Sequence, residues 1–231
     1  MTSTRLLVCE IFGPTFQGEG PSAGQRAAFV RLARCNLSCA WCDTPYTWDW
    51  TRFDPAAESS WIEVAEVVQR IRQIAAPLVV ITGGEPLLGQ HNLTPLVRAC
   101  RVDGCAVEIE TNGTVTPSDA LLADVTRFNV SPKLSNARLP AERRIRPDSL
   151  RVFAGSGKAI FKFVVEQVSD LDEVAVLQER FGLEPVWIMP QATDAASVVA
   201  MMQSLADEVL ARGWNLTTRL HVLLWGDARG R

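Results

Sequence analysis

The sequence predicts an α/β fold, a parallel sheet with crossover helices, and two observations carry that expectation. Short β-rich runs alternate with stretches of helical period, which places strands side by side and helices across them. The 231 residues are 47% hydrophobic and 21% charged, enough apolar material for one sizeable core and too little chain for two comfortable ones. We therefore expect a single domain over residues 1–231.

Taken in order, strands are expected at Leu6 to Ile11, Ala27 to Leu32, Leu78 to Thr82, Ala106 to Thr111, Phe128 to Ser131, Ala159 to Val165, Val186 to Met189 and Leu220 to Leu224. Trp61 to Ala75 puts Ile62, Ala65, Val68, Ile71 and Ile74 on one face, and Ser60-Trp61-Ile62-Glu63 has the form of a capping box, so a helix is expected there. Thr116-Pro117 followed by Asp119 starts another, with a capping hydroxyl and a proline in its first turn. Leu93 to Cys100, Leu171 to Phe181 and Val198 to Leu210, closed by Gly213, complete the helices. The exception is the stretch from Pro132 to Lys158, with Arg138, Arg143, Arg144, Arg146 and Arg151 among prolines and glycines. It is expected to form an irregular insertion over about 134–158, either a solvated loop, the blander reading, or an anion-binding lid.

A formal net charge of -3 provides no overall basic surface for nucleic acid or anionic lipid. The single basic residue Arg5 precedes a short apolar stretch that Glu10 interrupts, and no apolar run approaches the roughly 18 residues that span a bilayer. No nucleic-acid partner, no membrane partner and a cytoplasmic location are the expectations.

Three of the six cysteines, Cys35, Cys39 and Cys42, fall within eight residues directly after a strand, spaced C-x3-C-x2-C. Zinc normally asks for a fourth Cys or His at matching spacing, but His91 and His221 are isolated and no second C-x2-C exists. A four-iron cubane held by three thiolates instead leaves one iron open to a small molecule. Cys9, Cys100 and Cys105 read as small core residues. This triplet resembles the signature of the radical S-adenosylmethionine superfamily. The resemblance implies that Cys35, Cys39 and Cys42 hold a 4Fe-4S cluster whose open iron binds S-adenosylmethionine, to be cleaved reductively to a deoxyadenosyl radical. It also implies an external electron donor such as flavodoxin or ferredoxin, and a place for Trp41 beside the adenine.

Thr82-Gly83-Gly84-Glu85-Pro86 follows a strand. Its paired glycines let a ligand approach the backbone, and Glu85 offers an acceptor to an ammonium group. The segment is similar to the superfamily motif that binds the methionine amino group. On the Ala106–Thr111 strand, Glu108 and Glu110 share one face; Glu108 alone reads as a solvated edge, whereas Glu110 can be neutralised by Lys133 of Ser131-Pro132-Lys133. By resemblance, Glu110, Ser131, Pro132 and Lys133 help hold S-adenosylmethionine, and Gln191 belongs to the loop that touches its adenine.

The run Phe16-Gln17-Gly18-Glu19-Gly20 offers the donor and acceptor edge a flat heterocycle needs, and Arg31 can clamp a carboxylate with two parallel bonds. With Thr82 and His221 to Gly226, these segments resemble the 7-carboxy-7-deazaguanine synthase family. That resemblance implies a partial (β/α) barrel with reduced helix number, working as a homodimer. It implies ring contraction of 6-carboxy-5,6,7,8-tetrahydropterin with loss of ammonia, on the path to queuosine. It makes Phe16, Gln17, Gly18, Glu19, Arg31, Thr82 and His221 substrate-binding residues and Thr44 a Mg2+ ligand. A glycyl-radical activating protein and a non-catalytic iron-sulfur module are the competing classes.

Overall fold

In the computed structural model, which describes residues 4–226 and 228–231, the alternation becomes one nine-stranded sheet. Its strands are β1 (Arg5–Phe16), β2 (Arg26–Leu32), β3 (Ser60–Glu63), β4 (Leu78–Gly83), β5 (Ala106–Thr111), β6 (Arg127–Val130), β7 (Ala159–Val165), β8 (Val186–Pro190) and β9 (Asn215–Leu216). They lie in the order β3-β1-β2-β4-β5-β6-β7-β8-β9. From β2 onward every pairing is parallel, as a chain of βα units requires. β1 runs antiparallel to both β2 and β3, so the parallel expectation fails at this edge, where β1 meets β2 without a crossover helix between them. The row ends at β3 and β9, which are not paired with each other, and this open row is the partial barrel.

The helices are α1 (Pro55–Glu58), α2 (Val64–Ile74), α3 (Gln90–Val102), α4 (Asp119–Asp124), α5 (Ala141–Arg144), α6 (Pro147–Gly155), α7 (Asp170–Phe181), α8 (Ala195–Ala211) and α9 (Leu220–Trp225). No helix among the described residues is long and apolar enough to cross a membrane. The main core is laid down between sheet and helices by Val79, Ile81, Val107, Ile109, Phe128, Phe161 and Phe163 on the strands. Val67 and Ile71 of α2, Leu93 and Leu96 of α3 and Leu171 and Val174 of α7 cover them. Each of those helices shows the apolar stripe that faces a sheet.

Four local expectations are corrected. Ser60–Glu63 is not a capping box: it pairs with Arg5–Val8 as an edge strand, and the helix begins at Val64 with Glu63 as its cap residue. The buried face of α2 is consequently Val64, Val67, Val68 and Ile71, with Ala65 exposed. The cap of α4 is Ser118, whose hydroxyl accepts from the Leu121 amide, rather than Thr116. Leu220 to Leu224 is helical, because a short apolar run carries no period of its own. Val222 packs with Val198 and Ala192 instead of entering the sheet. The insertion at 134–158 is ordered into a 3-10 turn, α5 and α6, since several of its charges are spent internally. Arg144 is buried, donating to the carbonyls of Leu139 and Lys133 and to Glu173, and Arg143 donates to the Asn36 carbonyl.

Candidate active site

The C-terminal ends of the parallel strands converge on a cavity of about 230 Å³, the place where open α/β sheets bind ligands. β2 leads into the cysteine loop, β4 ends in Thr82-Gly83, β5 leads into Asn112, and β6 leads into Ser131 and Lys133.

Cys35, Cys39 and Cys42 all line this cavity, beside Trp41 and Lys133. The Leu37 amide donates to Cys35 Sγ at 3.4 Å and Trp48 Nε1 to Cys42 Sγ at 3.3 Å, the kind of N–H···S support a ligating thiolate receives. Burial pushes the Cys35 thiol up to about 12 and raises that of Cys39 against the pull of Lys133. Among the described residues no group of three or more His, Cys, Asp or Glu side chains converges on one ion. Thiols spaced around a cavity wall instead fit a cluster of several irons, whose positive charge would keep them ionised.

The cysteine loop is seated on the Gly83-Gly84 turn. Gly83 has φ +146, and a Cβ on Gly84 would lie 2.5 Å from the Arg34 carbonyl carbon and 2.9 Å from Cys35 Cβ. The Gly84 and Glu85 amides donate to the carbonyls of Leu32 and Arg34, locking the turn to the loop. Glu85 itself does not line the cavity. Its carboxylate is 1% exposed and accepts from Leu87 N, Thr111 Oγ1 and Asn112 N, so the expectation that it receives an ammonium is corrected to a structural clamp. Burial raises its pKa, those hydrogen bonds opposing.

The expectation that Lys133 neutralises Glu110 is corrected: Lys133 donates to Ser131 Oγ at 2.9 Å and stands 5.3 Å from the Trp41 ring centre. Trp41 Nε1 donates to Asn136. Pro132 and Gln191 stand off the cavity wall, whereas Ser131 and Met189 line it.

The partner of Glu110 is Lys162, which the sequence reading passed over. Lys162 Nζ lies 2.5 Å from Glu19 Oε2 and 2.9 Å from Glu110 Oε2, while Gln17 Nε2 and Asn129 Nδ2 both donate to Glu110 Oε1. The signal was available: one charge in the middle of an otherwise apolar strand, buried on both faces, must be paired. Glu108 is no solvated edge. It is 2% exposed and accepts from Ser22, Arg127 and Asn129.

Arg31 lines the same cavity. Its Nε donates to Glu10 at 2.8 Å, and no hydrogen bond among the described residues uses its terminal nitrogens. Thr82, its register partner on β4, lines the wall beside it. Tyr46 and Arg229 also bond Glu10, bringing the last residues to the cavity, where Arg231 completes the wall. Gly18 passes so close to the His221 imidazole that a Cβ would collide with it. His221 Nε2 lies 4.0 Å from Glu19 Oε1, and burial holds its pKa below the usual histidine range, Glu19 opposing. Phe16 is half-exposed at the rim, stacked on Trp225. Arg219 joins the two halves of the site, donating to Asp43 beside the cysteines while its Nε stands 3.6 Å from Glu19.

Residues 30–159 of the chain match the family model of the Radical SAM superfamily. The chain is 39% identical over 231 residues to a 7-carboxy-7-deazaguanine synthase of Pyrobaculum aerophilum, covering 98% of each. It is 36% identical to one of Hyperthermus butylicus, covering 96% of this chain and 94% of the relative. Its backbone is similar to the crystal structure of QueE from Escherichia coli, with a TM-score of 0.71 and 26% identity over 94% of this chain and 95% of that one.

Proposed function

The chain belongs to the radical S-adenosylmethionine superfamily and, within it, to the 7-carboxy-7-deazaguanine synthases, and from that premise we propose how its residues divide the work. The protein is a lyase of queuosine biosynthesis that contracts the ring of 6-carboxy-5,6,7,8-tetrahydropterin to 7-carboxy-7-deazaguanine with release of ammonia. The observation that carries the division of roles is that the three cysteines and the polar set Gln17, Glu19 and Arg31 line one and the same cavity.

When bound, the cluster and S-adenosylmethionine supply the radical that begins the ring contraction. Cys35, Cys39 and Cys42 would hold the cluster. Trp41, the backbone at Gly84, Ser131 and Lys133 would cradle S-adenosylmethionine, with Gln191 behind the adenine and Pro132 and Glu85 fixing the loops. On the other side Gln17 and Glu19 would read the nitrogen-bearing edge of the pterin, joined by Glu110, which the resemblance gave to S-adenosylmethionine but which is bonded here to Gln17 and Lys162. Phe16, Gly18, Thr82 and His221 would complete its pocket. Arg31 would bind the substrate carboxylate with its two uncommitted nitrogens, a two-point grip that fixes ring orientation. A homodimer, a cytoplasmic location and an external one-electron donor such as flavodoxin or ferredoxin accompany this reading.

The test is product formation by anaerobically reconstituted protein given 6-carboxytetrahydropterin, S-adenosylmethionine and reductant, with 5'-deoxyadenosine followed separately. Arg31→Lys keeps the charge but loses the fork, so pterin affinity should fall on the order of 10–100-fold while S-adenosylmethionine affinity stands. Equal loss of both affinities would make Arg31 a general structural residue.

Mg2+ is proposed at Thr44. The hydroxyl lines the cavity 3.8 Å from Cys42 Sγ, and although Thr44 begins a 3-10 turn its side chain makes no capping hydrogen bond. A single neutral hydroxyl is a weak ligand, so substrate oxygens and waters would fill the remaining shell of a hard cation. Chelation of Mg2+ should slow turnover while the visible absorption of the cluster persists. Thr44→Val should lose most of the Mg2+ response; a rate with wild-type dependence on Mg2+ concentration would remove Thr44 from the metal site.

A further inference from the structure

Lys162 is the centre of a charge cluster that no role assigned above explains. Every residue of β7 is buried, and Lys162 is the one charge among them. Its ammonium bridges two carboxylates from distant parts of the chain, Glu19 after β1 and Glu110 on β5. We infer that Lys162 is a positioning residue that holds Glu19 and Glu110 side by side and both ionised, so that the pair accepts hydrogen bonds from the donor edge of the pterin. The inference rests on the substrate reading above.

The two acids are not supported alike. Glu19 has a further cation near it, Arg219 at 3.6 Å, and the His221 imidazole, which adds charge only when protonated, at 4.0 Å. Glu110 has no cation within ion-pair distance except Lys162 among the described residues; its other partners, Gln17 and Asn129, are neutral. Arg127 is spent on Glu108, and Arg219 also pairs with Asp43. Burial penalises the Glu19 charge, but Lys162, Arg219 and His221 together hold its pKa well below the ordinary carboxylate range. Burial raises that of Glu110, Glu19 and Glu108 adding to the rise and Lys162 opposing it. Acidic groups sharing one dry site cannot all stay ionised without a cation, and the one left without an ion pair takes the proton. Without Lys162 that group is Glu110, and a protonated carboxyl presents a hydrogen to the substrate where the pterin needs an acceptor.

The experiment is anaerobic titration of 6-carboxytetrahydropterin into reconstituted, S-adenosylmethionine-bound enzyme without reductant, at pH 7 to 9, where His221 is already neutral. Lys162→Met should raise the pterin Kd at least about tenfold at pH 7, with recovery toward wild type as pH rises and Glu110 gives up its proton. Lys162→Arg keeps a cation between the acids and should restore most of the affinity with no such trend. Lys162→Met combined with Glu110→Gln leaves no unpaired acid at Glu110, so its Kd should stay raised and flat with pH. This double variant also covers failure of the single one to fold. A Kd for Lys162→Met equal to wild type, or raised by the same factor at every pH, would overturn the inference, as would a pH trend that persists in the double variant. Wild-type protein that binds S-adenosylmethionine but not the pterin would overturn the substrate reading itself and this inference with it.

Discussion

Cys39→Ala protein, reconstituted anaerobically, should carry little iron, lack the visible absorption of a cluster and form no product; Cys35→Ala and Cys42→Ala should behave alike. With these three thiols as the protein's whole contribution to the proposed cluster, losing one would leave two irons short of a protein ligand in a cavity open to water. The loop offers a poor substitute: Asn36, Ser38 and Thr44 are neutral, and the one carboxylate, Asp43, is already paired with Arg219. The remaining cysteines are the control. Cys100 is 1% exposed in the main core and Cys105 packs against it, so Ala there should cost about 1 kcal/mol of stability while iron content and turnover persist. Replacing Cys9, on β1, by Ser or Ala should likewise leave the iron content of the protein unchanged. Full iron and full turnover in Cys39→Ala protein would overturn the cluster assignment.

Gly84→Ala should be nearly as damaging, although it deletes nothing. The added methyl would press on the Arg34 carbonyl and Cys35 Cβ. Backbone cannot rotate away as a side chain can, so the turn and the cysteine loop must separate. The Gly84 and Glu85 amides that join them to Leu32 and Arg34 would lengthen or break. A shift of about 1 Å at a reacting centre costs about 100-fold, so turnover should fall at least that far, with lowered S-adenosylmethionine affinity and reduced iron loading. Gly89, whose Cβ would meet nothing, supplies the matched control: Gly89→Ala should be close to wild type. A Gly84→Ala enzyme with wild-type affinity for S-adenosylmethionine would mean the turn does not support the cofactor.

The strand series was legible because apolar runs bounded by turn residues carry their own signal, and Leu78, Val79, Val80 and Ile81 are all buried in β4 as such a run requires. The cysteine loop and Thr82-Gly83-Gly84 were legible for a different reason, since their chemistry depends on local spacing. What escaped depends on chain partners far apart in sequence. Ser60–Glu63 has the letters of a cap and becomes a strand only because Arg5–Val8 offers an edge. Lys162 is 143 residues from Glu19, and nothing local distinguishes it from a surface lysine except its apolar flanks. The exchange of roles between Lys133 and Lys162 has the same origin: sequence neighbourhood suggested one lysine, and register across β5, β6 and β7 selected the other.

The chain has only three lysines, and all three amines are spoken for. Lys162 sits between two glutamates, Lys133 lies against Ser131 and Trp41, and Lys158 donates to the carbonyls of Leu122, Ala123 and Val125 where α4 ends. The exposed cations of the surface are guanidinium groups, which resist acylation at neutral pH. An amine-reactive label therefore finds its side-chain targets only in the cavity wall and in a helix cap. Modification of Lys133 becomes a direct chemical gauge of how far the cavity is open, and lysine-directed coupling to a support is a poor way to immobilise this enzyme in working form.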